Sequence, residues 1–195
     1  MTLGGIGVFI FVVVSIFAGF IQPYPQDSLG KTHVENSLRA PSLKHFFGTG
    51  VLGRDIFSLV IAGSRISLIT GITTVGVALI VGVFLGTLAG FFGGWVDELI
   101  MRLVDLFLSF PSLLLAMAIT AALGPSLKNA MIAVAVTWWP SYSRLMRGEV
   151  LSVKEETFVE GAQAMGASIL RTIFRHILPN CFTPIIIKST MDVGL

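Results

Sequence analysis

The sequence predicts an all-α fold, a polytopic transmembrane helix bundle, and three observations carry that prediction. Of its 195 residues, 54% are hydrophobic and only 12% are charged, about half the charged share of ordinary soluble domains. The apolar residues gather into runs near the length a bilayer core demands, roughly 20 residues per helix. Mean hydropathy is +0.87, which places the chain in the membrane class. The net charge of +2 is too small to suggest a nucleic-acid partner. The single cysteine, Cys181, excludes an internal disulfide and a cysteine-based metal site; among apolar neighbours it reads as a small packing residue.

The first helix falls within 1–22, as Leu3 to Ile21. It lacks a positive amino-terminal region, and "GFIQPYP" is a poor cleavage site, so it is read as a retained membrane helix rather than a signal peptide. Residues 23–65 form a polar, turn-rich loop with little periodicity. The second helix is Ile66 to Phe92, with Gly82, Gly86, Gly90 and Gly94 at four-residue spacing. Such a face lets another backbone approach closely, and packing is favoured over a pore-lining role. The third helix runs from about Ile100 to Leu123. Pro111 is expected to kink it, and Arg102 and Asp105 are expected to pair on its surface. The fourth, Ala130 to about Tyr142, carries Trp138, Trp139 and Tyr142 near one end, where amphipathic rings favour the membrane interface. A fifth segment begins near Pro179 and reaches Leu195. Its length of about 15 residues, with Lys188 and Asp192, falls short of a crossing. The chain is therefore expected to be truncated within its fifth helix, with the natural gene continuing. Lys and Arg are balanced across the proposed membrane, so the positive-inside rule does not orient it.

Between the fourth and fifth segments lies "VEGAQAMGASILRTIFRHILPN", residues 159 to 180. Thr157 and Glu160 fit a capping box that would start a short helix. Gly166 suits the left-handed end of that helix, and Ser168 suits the cap of the next. That next helix sorts into rows at spacing four. Ile169, Ile173 and Ile177 form one apolar row, Leu170, Phe174 and Leu178 another, and Arg171 and Arg175 a basic one. Pro179 is expected to mark the exit into the membrane. Periodicity alone leaves two readings open, an interfacial helix pair and a docking element.

Glu160-Gly161-Ala162, then Gly166, then Leu178-Pro179 resembles the E-A-A…G…I-x-L-P loop of binding-protein-dependent ABC importer permeases. Gly161 replaces the first alanine, and His176 stands where the pattern has isoleucine. "GAS" followed by "RHILPN" is similar to the dipeptide, oligopeptide and nickel branch. A second block agrees: His45, then "FGTGVLGRDIFS" and "GSRISL", resembles H-x-x-G-T-D-x-x-G-R-D-x-x-S-R…G-x-R-x-S-L, with Gly50 for the usual aspartate and Leu59 for the usual arginine. "GGWVDELIMRLVDLFLSFPSLLLA" is similar to that branch's third-helix entry.

The resemblance implies a type I ABC importer permease fold, with residues 66–195 as its core and 145–179 as a cytoplasmic coupling loop. It implies a prokaryotic inner-membrane protein, multi-pass, with a cytoplasmic amino terminus and with 23–65 outside. It implies a second permease subunit, whose contact would bury the glycine face of the second helix. Two cytoplasmic ATPases would use ATP and Mg, and an external binding protein would deliver dipeptides, oligopeptides or nickel. The residues implied for ATPase coupling, within 157–179, are Phe158, Glu160, Gly161, Ala162, Gly166, His176, Leu178 and Pro179. His45, Arg54, Asp55 and Arg65 are implied as external contacts to substrate or binding protein. For Arg54 and Asp55 an ion pair within the loop beside a turn at Gly53 is an equal alternative, and His45 as a nickel ligand ranks below a loop-building role. No residue is expected to be catalytic and no cofactor or metal to be bound by this chain, which lacks a Walker A pattern. Two other classes stay open. An ion-coupled secondary transporter would need ionisable residues near the midplane, and the second and fourth helices offer none. The other is a non-transporting structural membrane subunit.

Overall fold

The computed structural model describes residues 2–193. Among them the regular structure is helical, and the only β pairing is an isolated bridge between Thr49 and Asp55. The chain forms two compact units, divided at Thr70 and Gly71.

In the first unit, α1 (Thr2–Ile16) and α2 (Ala18–Ile21) occupy the predicted first helix. The apolar part of α1, Gly4–Ile16, is by itself shorter than a bilayer crossing. The loop that follows holds α3 (Pro25–Ser28) and a single 3-10 turn, Val34–Asn36. It is pinned by its own polar groups rather than by periodic packing. Gly48 (φ +74°) and Gly53 (φ +70°) take left-handed backbone where a Cβ would strike the carbonyls of Arg39 and His33. Neither position admits another residue without rearrangement.

The long helix α4 is Ile56–Phe92, ten residues longer than expected at its start. It is the one described helix long and apolar enough to cross a bilayer by itself. Gly93 and Gly94, both at positive φ, end it and open α5 (Gly94–Leu108). The predicted third helix is not kinked but broken. Ser109 to Pro111 separate α5 from α6 (Ser112–Leu123), and the two lie 87° apart. Proline supplies no N–H and its ring excludes the preceding turn, so the chain restarts at Pro111 as the N-cap of α6.

The fourth helix is also longer than its apolar run suggests: α7 spans Leu127–Lys154 with Pro140 inside it. Residues 145–154 are therefore helix, and the loop proper begins at Glu155. The glycine face of α4 meets α7 rather than a second subunit, which corrects the expectation from sequence. A Cβ on Gly82 would meet Tyr142 and the Trp139 carbonyl, and one on Gly86 would meet Met146 and Ser143. On Gly90 it would lie 2.8 Å from Cβ of Val150. Gly94 lies outside this seam, with open space around it. Because 82, 86 and 90 pair with 142, 146 and 150 in the same order, α4 and α7 are parallel. The intervening α5 and α6 must therefore carry the chain back.

Beyond α8 (Thr157–Ala164), α9 (Ile169–Arg171) passes directly into a π-helical turn, Thr172–Ile177, and then into α10 (Leu178–Val193). Pro179 does not end this helix: the π turn runs straight through it into α10. Ile173, Ile177, Cys181 and Ile185 are buried at spacing four, and the last three pack with Met146, Val150 and Val159. Tyr142 reaches Asp192 and Val150 lies by Ile177 and Cys181, so α10 runs antiparallel to α7.

Candidate functional site

The candidate coupling module sits where α7 ends and α10 begins. Lys154 Nζ donates to the Phe91 carbonyl at 2.7 Å and stands over the Phe91 ring. The carboxyl ends of α4 and α7 therefore share this end of the unit. Glu156 is extended (φ −73°, ψ 140°) and caps α8 with no side-chain bond. Thr157 is consequently the first helical residue, and the expected capping box with Glu160 does not form. The eight residues of α8 divide by face. Val159 is fully buried and Ala162 nearly so, while Phe158, Glu160 and Gly161 are exposed. Met165, just past the helix, is 85% exposed.

The turn closes as a Schellman motif. Ala167 N–H donates to the Ala162 carbonyl at 3.0 Å and Gly166 N–H to the Gln163 carbonyl at 2.9 Å, with Gly166 at φ +83°. This satisfies carbonyls that a helix end otherwise leaves bare. The Ser168 hydroxyl accepts from Arg171 N–H, as expected, and the Thr172 hydroxyl donates to the Ser168 carbonyl at 3.1 Å. His176 and Leu178 are half-buried and Pro179 is exposed; the His176 carbonyl accepts from Asn180 at 2.7 Å. The module thus presents a rigid knob whose inner side is locked into the bundle. Val159 is the residue that sequence reasoning missed. Its three-residue spacing to Ala162, on the opposite side from Glu160, was the available signal.

The predicted external residues form a separate assembly in the first unit. His45 Nδ1 lies 2.9 Å from Asp55 Oδ1, and the Tyr24 ring stacks on His45. Asp55 Oδ2 accepts from both the N–H and the hydroxyl of Ser58 at 2.8 Å. The Asp55 N–H in turn donates to Asp27 Oδ2. Asp55 is fully buried, and its carboxylate is occupied by the loop's own groups; its partner is His45, not Arg54. Arg54 donates instead to the Gly30 carbonyl at 3.2 Å. Arg65 lies exposed on α4. Among the described residues no group of three or more His, Cys, Asp or Glu is arranged to hold a metal ion.

In the second unit charges pair both along a helix and across helices. Arg102 and Asp105 do not pair with each other: Arg102 meets Glu98 one turn back, and Asp105 meets Arg144 of α7. Arg147 grips Asp97 with two bonds, one of them 2.6 Å. Deeper in the bundle, the Tyr142 hydroxyl donates to Asp192 at 2.7 Å, and Lys188 lies 3.0 Å from the same carboxylate and over the Tyr142 ring. The two charges of the fifth segment are thereby mutually satisfied, which is how they are tolerated beside apolar helices.

Residues 82–195 match the family described as the binding-protein-dependent transport system inner membrane component. The chain belongs to this family. The match begins at Gly82, the first glycine of the α4–α7 seam, and takes in the whole of the candidate module. Over 184 residues the chain is 46% identical to the dipeptide transport system permease protein DppC of Alkalihalophilus pseudofirmus, covering 94% of this chain and 60% of that protein. It is 44% identical over 187 residues to the glutathione transport system permease protein GsiD of Escherichia coli O157:H7, covering 96% and 61%. To GsiD of Pectobacterium atrosepticum it is 38% identical over 191 residues, covering 98% and 63%. As a member of the family the chain thus spans about three fifths of the length of these curated relatives.

Proposed function

We propose that the chain forms the membrane pathway of a binding-protein-dependent importer of small peptides, and that α8 with its Gly166 turn seats on a cytoplasmic ATPase subunit. The observation that carries this reading is the division of α8. Val159 and Ala162 tie it to the bundle, while Phe158, Glu160, Gly161 and Met165 face outward at the end shared by α4, α7 and α10. A force on the exposed side is transmitted through Val159 to Ile177, Cys181 and Ile185, because packed side chains move as rigid bodies. A second permease would complete the pathway, two ATPases would bind and hydrolyse ATP with Mg, and an external binding protein would deliver substrate. The amino terminus would be cytoplasmic. Small peptides are favoured over nickel as cargo because the relatives compared are named for dipeptide and glutathione transport. An ion-coupled mechanism gains no support from Lys188 and Asp192, which neutralise each other.

Gly166→Val tests the knob. Nothing lies within 4 Å of the added Cβ, so the substitution acts only through backbone strain at φ +83°. In the assembled importer the variant should reach the membrane and pair with its partner permease, yet fail to co-purify ATPases and fail to import peptide. Glu160→Ala has no cap to lose, so it should weaken ATPase binding without destabilising α8. Wild-type ATPase recovery and uptake from Gly166→Val, at equal membrane amounts, would leave the module as an interfacial anchor only.

A further inference from the structure

The residues after the knob carry a second feature. Between Gly71 and Val193 the other three arginines each have a carboxylate partner: Arg102 with Glu98, Arg144 with Asp105, Arg147 with Asp97. Arg171 and Arg175 have exposed side chains and no such partner among the described residues. From Gly161 to Met191 the sequence contains no acidic residue at all. Beside the two arginines runs an apolar stripe at spacing four along α9, the π turn and α10. Leu170 and Phe174 are 68% and 67% exposed, Leu178 is half-buried, and Phe182 and Ile186 are 40% and 56% exposed. The stripe continues up a helix of the membrane bundle, and its basic neighbours stand only at the first end. At the far end Lys188 is turned inward to Asp192 and Tyr142.

We propose that Arg171 and Arg175 bind the head groups of anionic phospholipids whose acyl chains lie along the adjacent row that starts at Leu170 and Phe174. The occupant follows from the pattern. An apolar row that runs on along a membrane helix matches acyl chains, and unpaired guanidinium groups at its head-group end match phosphate, which they grip through paired N–H donors. Basic residues flanking such a row are drawn to anionic leaflets. The site lies on the α9–α10 side of the Gly166 turn and does not depend on what α8 docks to.

The experiment uses the assembled importer, wild type and Arg171→Gln/Arg175→Gln, purified from the same membranes. Phosphatidylglycerol retained per complex is measured first, without any need for ATPase function. ATP hydrolysis stimulated by the binding protein is then compared in nanodiscs of phosphatidylcholine and of an equal mixture with phosphatidylglycerol. The double variant should retain less phosphatidylglycerol by roughly an order of magnitude. It should match wild type in phosphatidylcholine, lose the stimulation given by phosphatidylglycerol, and still co-purify ATPases. Arg171→Lys/Arg175→Lys, which keeps charge but not the fork, should fall between. Unchanged phosphatidylglycerol retention overturns the proposal. So does an equal loss of activity in both lipids with loss of ATPases, which would place the arginines on an acidic groove of the ATPase.

Discussion

At Gly161 the chain carries glycine where the family pattern has alanine, in the middle of α8, exposed and with nothing within 4 Å of where a Cβ would stand. A glycine inside a helix costs roughly 1 kcal/mol relative to alanine, chiefly in backbone entropy. Gly161→Ala should therefore stabilise α8 by about that amount and slow amide exchange across Thr157–Ala164 about fivefold, with uptake retained. Unchanged or faster exchange would show that this glycine is held for its conformation rather than tolerated. Gly166 makes the contrast, since its φ of +83° was legible from a helix signal before it and a serine cap after it. Thr157 was not legible. The extended backbone of Glu156 moves the helix start one residue earlier, so the threonine falls inside the first turn and has no cap to make. Arg102 and Asp105 share a helix face, and local spacing therefore suggests a pair. Glu98 and Arg144 take them instead, and one of those partners lies on another helix that local spacing cannot see.

Among the elements, the apolar runs were legible as helices, but their ends were not. Helix α7 extends beyond its greasy segment because a polar residue with a partner inside the unit can stay helical, as Arg147 does against Asp97 and Lys154 against the Phe91 carbonyl, whereas α4 starts early where the Asp55 carboxylate accepts from the Ser58 N–H as a cap. Proline misleads in both directions. Pro111 breaks the chain outright, whereas Pro140 and Pro179 sit within or at the start of continuing helices. The glycine row of α4 is legible as a packing face, but its partner is α7 of the same chain. This makes the seam testable. Gly86→Ala places a Cβ against the backbone of Ser143 and 2.8 Å from Cβ of Met146, so the helices must separate at a cost of roughly 1–3 kcal/mol. Gly148→Ala, where nothing lies within 4 Å, should be neutral or mildly stabilising. Thermal unfolding of the solubilised complex and the amount accumulated in membranes read the difference. Equal behaviour of the two variants would mean that the seam is looser than the contacts indicate.

For the whole molecule, the parallel α4 and α7, the return through α5 and α6, and the antiparallel α10 bring three helix ends together beneath one small knob. The knob's sequence was readable as helix, glycine turn, helix. Its attachment was not, because Val159 is one apolar residue among many until the packing against Ile177 and Cys181 is seen. The central claim is that the exposed side of this knob meets an ATPase. Met165 is 85% exposed at the tip, and the only other thiol the chain would carry, that of Cys181, is fully buried. The most direct measurement is therefore Met165→Cys carrying a short-reach photo-crosslinker in the assembled importer, with products identified by mass spectrometry. The account predicts a dominant crosslink to an ATPase subunit, and its loss when Gly166→Val is added. Crosslinks confined to lipid or to the partner permease, in an importer that still takes up peptide, would contradict it.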